Sequence, residues 1–357
     1  AVDRLKVSIS KIIQSLPEQK RNGRAIASAL SRSLTHDGDK STNLANSILN
    51  LVKTMPELQE TLNADPQKVV DDFERIRSTL VRPENLRVSV AGDILALDRP
   101  KSAWSQHFTR NEWMQGPPKP TLPVPWSRDM LTPLGRAPAR KGLITALPTV
   151  ESSYSYFTTK GIPSYTHADA PALVTTITIL NAMESFLWRY IRGAGLAYGA
   201  SIVSVPESEL IHFSLYRSPD SAKAFLEARK VIRALCKDSS TAGTGAEELV
   251  LEIDETTLES AKSSLHFNIA EAEGTVSGAA QESFFDQVLK ESPKHRGKIL
   301  LQAVQKVTLD DVRASLKKYI LPLFDAESSV AAVVAPQGKV EEIGRQLEEV
   351  GYRMERV

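Results

Sequence analysis

Apolar residues in the first hundred positions recur mainly at helical spacing. They repeat at intervals of three and four over 5–16 and again over 44–52, which places them on one face of a helix. Over 86–90 the period changes to two, because apolar and polar residues alternate there before a turn at 91–93. This alternation predicts a half-buried strand that ends at the turn.

A proline-rich stretch separates this region from the rest of the chain. Seven prolines between 113 and 140 remove backbone donors and interrupt helices, so the stretch is predicted to be a semi-rigid, extended connector. Beyond it, strand and helix patterns alternate. The predicted elements are a strand region over 143–157, a helix over 170–191 with Asp169 as its N-cap, strands over 195–205 and 210–215, a helix over 221–235, two helical stretches between 255 and 319, a strand over 329–334 and a helix over 340–350.

One pattern occurs twice, about 240 residues apart. Val70–Phe73 and Leu309–Val312 each place an Asp pair at the predicted start of a helix, with a proline and a strand pattern following at the same interval. Such a repeat indicates duplication, although carboxylates favour helix starts in general. We predict an α+β fold of two homologous units: the C-terminal part of one unit over 1–112, the connector over 113–140, and a complete second unit over 141–357.

Composition and charge narrow the function classes. Of the residues, 41% are hydrophobic and 24% charged, with a formal net charge of +1, values typical of a globular protein. No run of Lys and Arg is long enough for a phosphate-binding stripe, so no nucleic-acid partner is expected. No apolar stretch approaches the roughly 20 residues of a membrane span, so no membrane partner is expected.

The chain's beginning and its cysteine bear on where the protein works. It opens with Ala1, without an initiator Met or a signal pattern, so we expect an interior piece of a longer polypeptide. Its single cysteine, Cys236, excludes an intrachain disulfide, which suits a reducing compartment. We expect a cytoplasmic location, with the mitochondrial matrix as the alternative.

The sequence offers no metal site of the common hydrolase kinds. A zinc peptidase with an inverted motif needs two His four residues apart with Glu before the second. The six histidines at 36, 107, 167, 212, 266 and 295 form no such pair, so no metal ligand is predicted in this chain. Serine-hydrolase elbows and phosphate-binding loops are absent from the sequence as well.

The segment Leu187-Trp-Arg-Tyr-Ile-Arg192-Gly-Ala-Gly-Leu-Ala-Tyr198-Gly199 is the most distinctive one in the chain. It is predicted to end a helix, reverse at glycines and begin a strand. A purely structural interpretation is available, in which Arg192 complements the helix dipole. Gly193 would then be a left-handed cap, and Tyr198 an ordinary strand aromatic.

This segment resembles the arginine and tyrosine motif in the C-terminal half of the pitrilysin and insulinase family of inverted-motif zinc peptidases. The six-residue interval from Arg192 to Tyr198 is most similar to that of the presequence-protease branch. Beyond this motif, the order of the predicted helices and strands is also similar. Residues 1–112 resemble the end of the family's third domain, and residues 141–357 resemble its fourth. It implies units of the zinc-processing-peptidase type, each an antiparallel-rich sheet with helices packed on one face.

The resemblance also implies roles for individual residues. Family members enclose unfolded peptides in a chamber of two halves, so the expected partners are peptide substrates and the N-terminal half of the same polypeptide. Tyr198 would donate a hydrogen bond to the developing oxyanion, and Arg192 would hold substrate carbonyls or the oxyanion. Substrate would pass close to Gly193, Gly195 and Gly199, with Arg189 as a weaker contact. Zinc is expected in the missing half, so this chain alone should be inactive.

Two other functions remain open at this point. The first is a non-catalytic structural subunit of the same fold, as in the core proteins of the respiratory bc1 complex. The second is a small α/β binding module whose glycine loop holds an anion. Retention of Arg192 and Tyr198 favours the peptidase over the structural subunit.

Overall fold

The computed structural model describes residues 2–99, 122–237, 249 and 251–357. The connector over 113–121 and most of the Ser/Thr/Gly-rich stretch after Lys237 lie outside the described residues. The chain forms two compact units. The first unit comprises Ala1–Gln14, Lys53–Pro125 and Ile269–Lys294, and the second comprises Ser15–Val52, Trp126–Asn268 and His295–Val357. The predicted domain boundaries at 112 and 141 stay a prediction.

The described residues form both α-helices and β-strands. The α-helices are α1 Val2–Gln19, α2 Gly23–Thr35, α3 Thr42–Ala45, α4 Ile48–Ala64, α5 Pro66–Leu80, α6 Pro133–Arg136, α7 Ala170–Asn181, α8 Ser221–Leu235, α9 Glu255–Ala272, α10 Val276–Phe284, α11 Arg296–Val304, α12 Leu309–Ser315 and α13 Val340–Glu349. The strands are β1 Lys141–Ala146, β2 Ser153–Lys160, β3 Gly199–Val205, β4 Leu210–Ser218, β5 Ser329–Ala335 and β6 Arg353–Arg356.

The described residues of the first unit form helices and irregular segments but no strand. Ile9, Leu62 and Val69 form its buried centre, and Asp65 caps α5 by accepting a hydrogen bond from the Lys68 amide at 3.1 Å. The strand predicted over 86–91 is wrong, because these residues are not assigned to a strand and pair with none in the part of the chain that the structure describes, and Val88 is 53% exposed. Alternation produces a strand only where a partner strand is available.

The two Asp pairs of the proposed repeat occupy different helix positions. The second pair does begin a helix: Thr308 caps α12, and the Asp311 carboxylate bonds back to the Thr308 amide at 2.9 Å. The first pair lies inside α5, where Asp72 forms an ion pair with Arg75 at 2.9 Å. The prediction that both pairs open helices is therefore wrong for the first.

The second unit is built on one six-stranded sheet with the strand order β3-β4-β2-β5-β1-β6. Three strand pairs are antiparallel, namely β3 with β4, β4 with β2 and β2 with β5, whereas β1 runs parallel to both β5 and β6. The predicted α+β class with a largely antiparallel sheet is thus confirmed. The short strand β6, at the end of the chain, was not predicted.

The sheet is buried most completely at its centre. Every residue of β5 is buried, and its side chains alternate between two clusters. Ala331 and Val333 join the main core with α8 and α13, while Val330 and Val334 pack against α2 on the opposite face. Burying one valine side chain contributes about 1.5–3 kcal/mol, and β5 buries valines on both faces, so it holds both layers to the sheet.

Several predicted element bounds need correction. The helix expected over 170–191 stops at Asn181 and resumes as a π-helical turn at Trp188–Arg192, because Glu184 takes a positive φ of 62° between them. Asp169 does not cap α7 with its side chain. Its carboxylate accepts hydrogen bonds from Lys318 Nζ and Tyr319 Oη, both at 2.6 Å, and these bonds lower the pKa of Asp169.

The described end of the predicted connector is folded. Thr132 caps α6 through the Gly135 amide at 3.0 Å, with Pro133 in the first turn. Leu131 forms a β-bridge to His36, and Trp126 is buried. Pro133 does not interrupt a helix because its missing amide is not needed at the first helical position.

Candidate functional site

The π-helical turn and the first residue before β3 bring Arg192 and Tyr198 together. The Gly193 amide donates to the Trp188 carbonyl at 2.8 Å, and the Leu196 amide donates to that of Ile191 at 2.9 Å. These bonds close the helix end and reverse the chain. The Arg192 guanidinium then lies 4.6 Å from the centre of the Tyr198 ring, a cation–π contact.

The three glycines of the chain reversal, Gly193, Gly195 and Gly199, differ in whether and why glycine is needed there. Gly193 has a right-handed φ of −61°, so its prediction as a left-handed cap is wrong. The left-handed residue is Gly195, with φ of 72°. A Cβ at Gly193 would lie 2.6 Å from the Arg189 carbonyl oxygen, whereas one at Gly199 would meet only the Tyr216 Cβ at 3.6 Å. Glycine is thus required at 193 by close approach and at 195 by backbone conformation.

Tyr198 is open to solvent although aromatic rings contact it. Its side chain is 59% exposed, and its ring meets that of Tyr216 edge to face at 6.1 Å. Its amide donates to the Arg217 carbonyl at 3.1 Å, which fixes the backbone at the mouth of the β3–β4 hairpin. Within the described part of the chain, the Tyr198 hydroxyl has no hydrogen-bond partner.

Tyr216 is the centre of a larger group that the sequence prediction missed. Arg24 and Arg217 lie 5.7 and 5.4 Å from its ring centre, and Tyr154 meets it edge to face at 5.5 Å. A hydrogen bond with Tyr154 raises the pKa of Arg217. We call Arg24, Tyr154, Arg192, Tyr198, Tyr216 and Arg217 the arginine–tyrosine cluster.

Part of this cluster could be predicted from the register of the β3–β4 hairpin. The turn over 206–209 fixes the register Gly199↔Tyr216 and Val205↔Leu210, so a correctly placed turn in the sequence puts Arg217 opposite Tyr198 and Tyr216 opposite Gly199. Arg24 reaches the cluster through packing of α2 on the sheet, a contact for which the sequence holds no local signal.

Arg189 lies apart from the cluster. Its guanidinium donates to the Glu184 carbonyl at 3.3 Å, and the side chain lines a cavity of about 470 Å³ together with Met183 and Asp254. The structure therefore brings Arg192 and Tyr198 together but directs Arg189 to different neighbours.

The strand that follows Tyr198 forms one edge of the sheet. Both backbone polar groups of Ile202 bond to the Asn181 side chain: Asn181 Nδ2 donates to the carbonyl at 2.7 Å, and Asn181 Oδ1 accepts from the amide at 2.9 Å. Asn181 therefore occupies the middle of the edge as a partner strand would. An added peptide strand could pair only beside it unless Asn181 moved.

The arginine–tyrosine cluster offers hydrogen-bond donors and positive charge. Guanidinium groups and a tyrosine hydroxyl can donate to carbonyl or oxyanion oxygens, and the aromatic faces offer apolar contact. No three His, Cys, Asp or Glu side chains among the described residues are placed to hold a metal ion. No described helix is long and apolar enough to cross a membrane.

Comparison with other proteins supports the fold and leaves the activity open. No protein-family profile matches the chain. An uncharacterized protein of Schizosaccharomyces pombe is 26% identical over 352 residues, which cover 99% of this chain and 33% of that protein. The chain spans about a third of the length of the curated relatives that it matches.

Two solved structures share the architecture. An M16-like protein from Alicyclobacillus acidocaldarius superposes with a TM-score of 0.56 at 12% identity, covering 94% of this chain and 71% of that one. The inactive domain of a Pseudomonas fluorescens M16 peptidase gives 0.55 at 13% identity, with 94% and 70% covered. At such identities the similarity establishes an M16-like fold only.

Proposed function

We propose that this chain is the C-terminal, substrate-binding half of a pitrilysin-type zinc metalloendopeptidase, of the presequence-protease-like branch, that degrades unfolded peptides in a closed chamber. The observation that carries the proposal is the stack of Arg192 on an exposed Tyr198 beside an edge strand. The M16-like fold and the greater length of the relatives support it.

The described residues do not fit a zinc ion, since they contain no ligand cluster and the sequence contains no H-x-x-E-H. We therefore assign zinc to the other half of the longer protein and derive no step through it. What this chain contributes is binding and charge stabilisation by its own side chains.

Tyr198 and Arg192 divide that work. The Tyr198 hydroxyl donates a hydrogen bond to the substrate oxygen on which negative charge develops, and such donors act strongly where water is excluded. The Arg192 guanidinium lies 4.6 Å from the centre of the Tyr198 ring, and this contact restricts rotation of the ring. The guanidinium N–H groups bind backbone carbonyls of the substrate. Gly195 and Gly199 keep the substrate's path free of side chains.

The test is peptide cleavage by the longer protein that contains this chain. Tyr198→Phe keeps the ring and removes the hydroxyl, so kcat should fall by roughly a hundredfold or more with little change in KM. Tyr190→Phe is the matched control, because Tyr190 lies in the same π-helical turn and packs against the main core.

An unchanged kcat in Tyr198→Phe, or an equal loss in both variants, would contradict the proposed role. A longer protein that cleaves no peptide at all would favour the alternative, a non-catalytic structural subunit of the same fold. Thermal unfolding of both variants checks that the loss is catalytic, since neither change removes a buried group.

A further inference from the structure

A second concave site lies between α2 and the open face of β3 and β4. It is a cavity of about 320 Å³ whose lining includes Arg24, Arg32, His36 and His212 together with serine hydroxyls. None of the described residues that line it is Asp or Glu. The two arginines can only donate hydrogen bonds, the hydroxyls and imidazoles can donate or accept, and no carboxylate opposes an anion there.

The two arginines differ from several other cations of this unit, which are paired with carboxylates. Lys160 is paired with Glu209 at 2.6 Å, and Arg356 with Glu341 at 2.8 Å. Arg32, in contrast, forms no ion pair with any carboxylate in the described part of the chain, and Arg24 contacts the Tyr216 ring. The positive charge in the cavity therefore has no counterion among the described residues.

The floor of the cavity is held in one arrangement by hydrogen bonds. Ser31 Oγ lies 3.2 Å from Thr158 Oγ1, which lies 2.8 Å from His212 Nδ1. His36 is fixed likewise, between Thr35 Oγ1 and Ser127 Oγ, each at 2.9 Å. His212 Nε2 has no partner among the described residues, so one ring nitrogen stays available to a ligand.

The electrostatics agree with this geometry. Burial and, secondarily, the nearby His36 and Arg32 lower the pKa of His212 to about 4. Burial is the main cause of this shift, and the smaller contribution of Arg32 agrees with a positive potential beside its guanidinium group, which an anion would offset.

We propose that this cavity binds a small oxyanion, a carboxylate or a phosphate group, between Arg32 and His212 with Arg24 at the rim. Guanidinium groups match both oxyanions in bidentate geometry. Arg24 also contacts the Tyr216 ring, so the cavity adjoins the arginine–tyrosine cluster. The inference does not rest on the proposed function, because it is tested by binding rather than by cleavage.

Isothermal titration of the 357-residue chain tests the proposal with three probes: inorganic phosphate, an N-acetylated dipeptide with a free carboxylate, and the same dipeptide amidated. Saturable binding of phosphate or the acid dipeptide, but not of the amide, is the expected result. Phosphate binding alone would identify a free phosphate compound as the source, and acid-dipeptide binding alone a peptide carboxyl end.

Variants locate the site. Arg32→Gln should weaken binding about tenfold or more, the loss of one charge-assisted contact, and Arg32→Lys should retain part of the affinity. Arg24→Gln, at an exposed rim position, provides a second test if Arg32→Gln folds poorly. Arg345→Gln is the control, because Arg345 pairs with Glu349 on the surface of α13. No saturable binding of either anion, or equal weakening in the control, would overturn the proposal.

Discussion

Asn181 offers the sharpest test of how the edge of the sheet is held. Its side chain makes two hydrogen bonds to Ile202, at 2.7 and 2.9 Å, and each such bond contributes a net 0.5–1.5 kcal/mol, roughly. Ala is a better helix former than Asn by about 0.5 kcal/mol, which offsets part of the loss. Asn181→Ala leaves β3 paired with β4 but should lower the free energy that protects the Ile202 amide from opening by about 1–2 kcal/mol.

Hydrogen exchange followed by mass spectrometry measures this cost where it arises. The Ile202 amide should exchange about 5- to 30-fold faster in Asn181→Ala, the factor that corresponds to 1–2 kcal/mol. Thr178→Ala is the control, because its hydroxyl bonds within α7 to the Val174 carbonyl at 2.8 Å. Unchanged exchange over Gly199–Val205, or the same increase in the control, would refute this account of the edge.

Three further predictions concern backbone, pH and metal. Gly195→Ala should lower the free energy of unfolding in a denaturant titration by about 1–2 kcal/mol, because φ is 72° there, whereas Gly199→Ala should change it by less; equal losses would count against the argument. Because the pKa of His212 falls from 6.5 to about 4 on folding, the unfolded chain alone binds this proton between those pH values. Stability should fall by about 3 kcal/mol as pH drops through that window, and a titration of His212→Gln should lack this component. Metal analysis of the purified chain should find no stoichiometric zinc; one tightly bound zinc per chain would contradict the assignment of zinc to another half.

Sequence patterns predicted correctly those helices and strands that depend on residues close together in the chain. The helix predicted over 221–235 has those bounds as α8, since Asp220 caps it through the Ala222 and Lys223 amides and its apolar residues follow the helical period. The hairpin of β3 and β4 was likewise predictable from its turn and its strand patterns.

Elements that depend on distant partners could not be predicted in the same way. Residues 86–91 have a strand pattern but no partner strand among the described residues. Asp169 has a capping position but bonds to Lys318 and Tyr319, about 150 residues away. At the site, the sequence identified Arg192 and Tyr198, which lie together in one segment. Arg24 joins them only through the tertiary fold, and no spacing rule connects residues so far apart.

The position of β5 has a consequence for how the chain folds during synthesis. Its partners on either side, β1 and β2, are about 170 to 190 residues earlier in the sequence, and contacts of that range slow folding. While translation continues, β2 can pair with β4, but its other edge and β1 stay unpaired until residues 329–335 emerge. Until then the sheet lacks its central strand, and the unpaired backbone groups at the edges of β1 and β2 are available to other nascent chains or to chaperones.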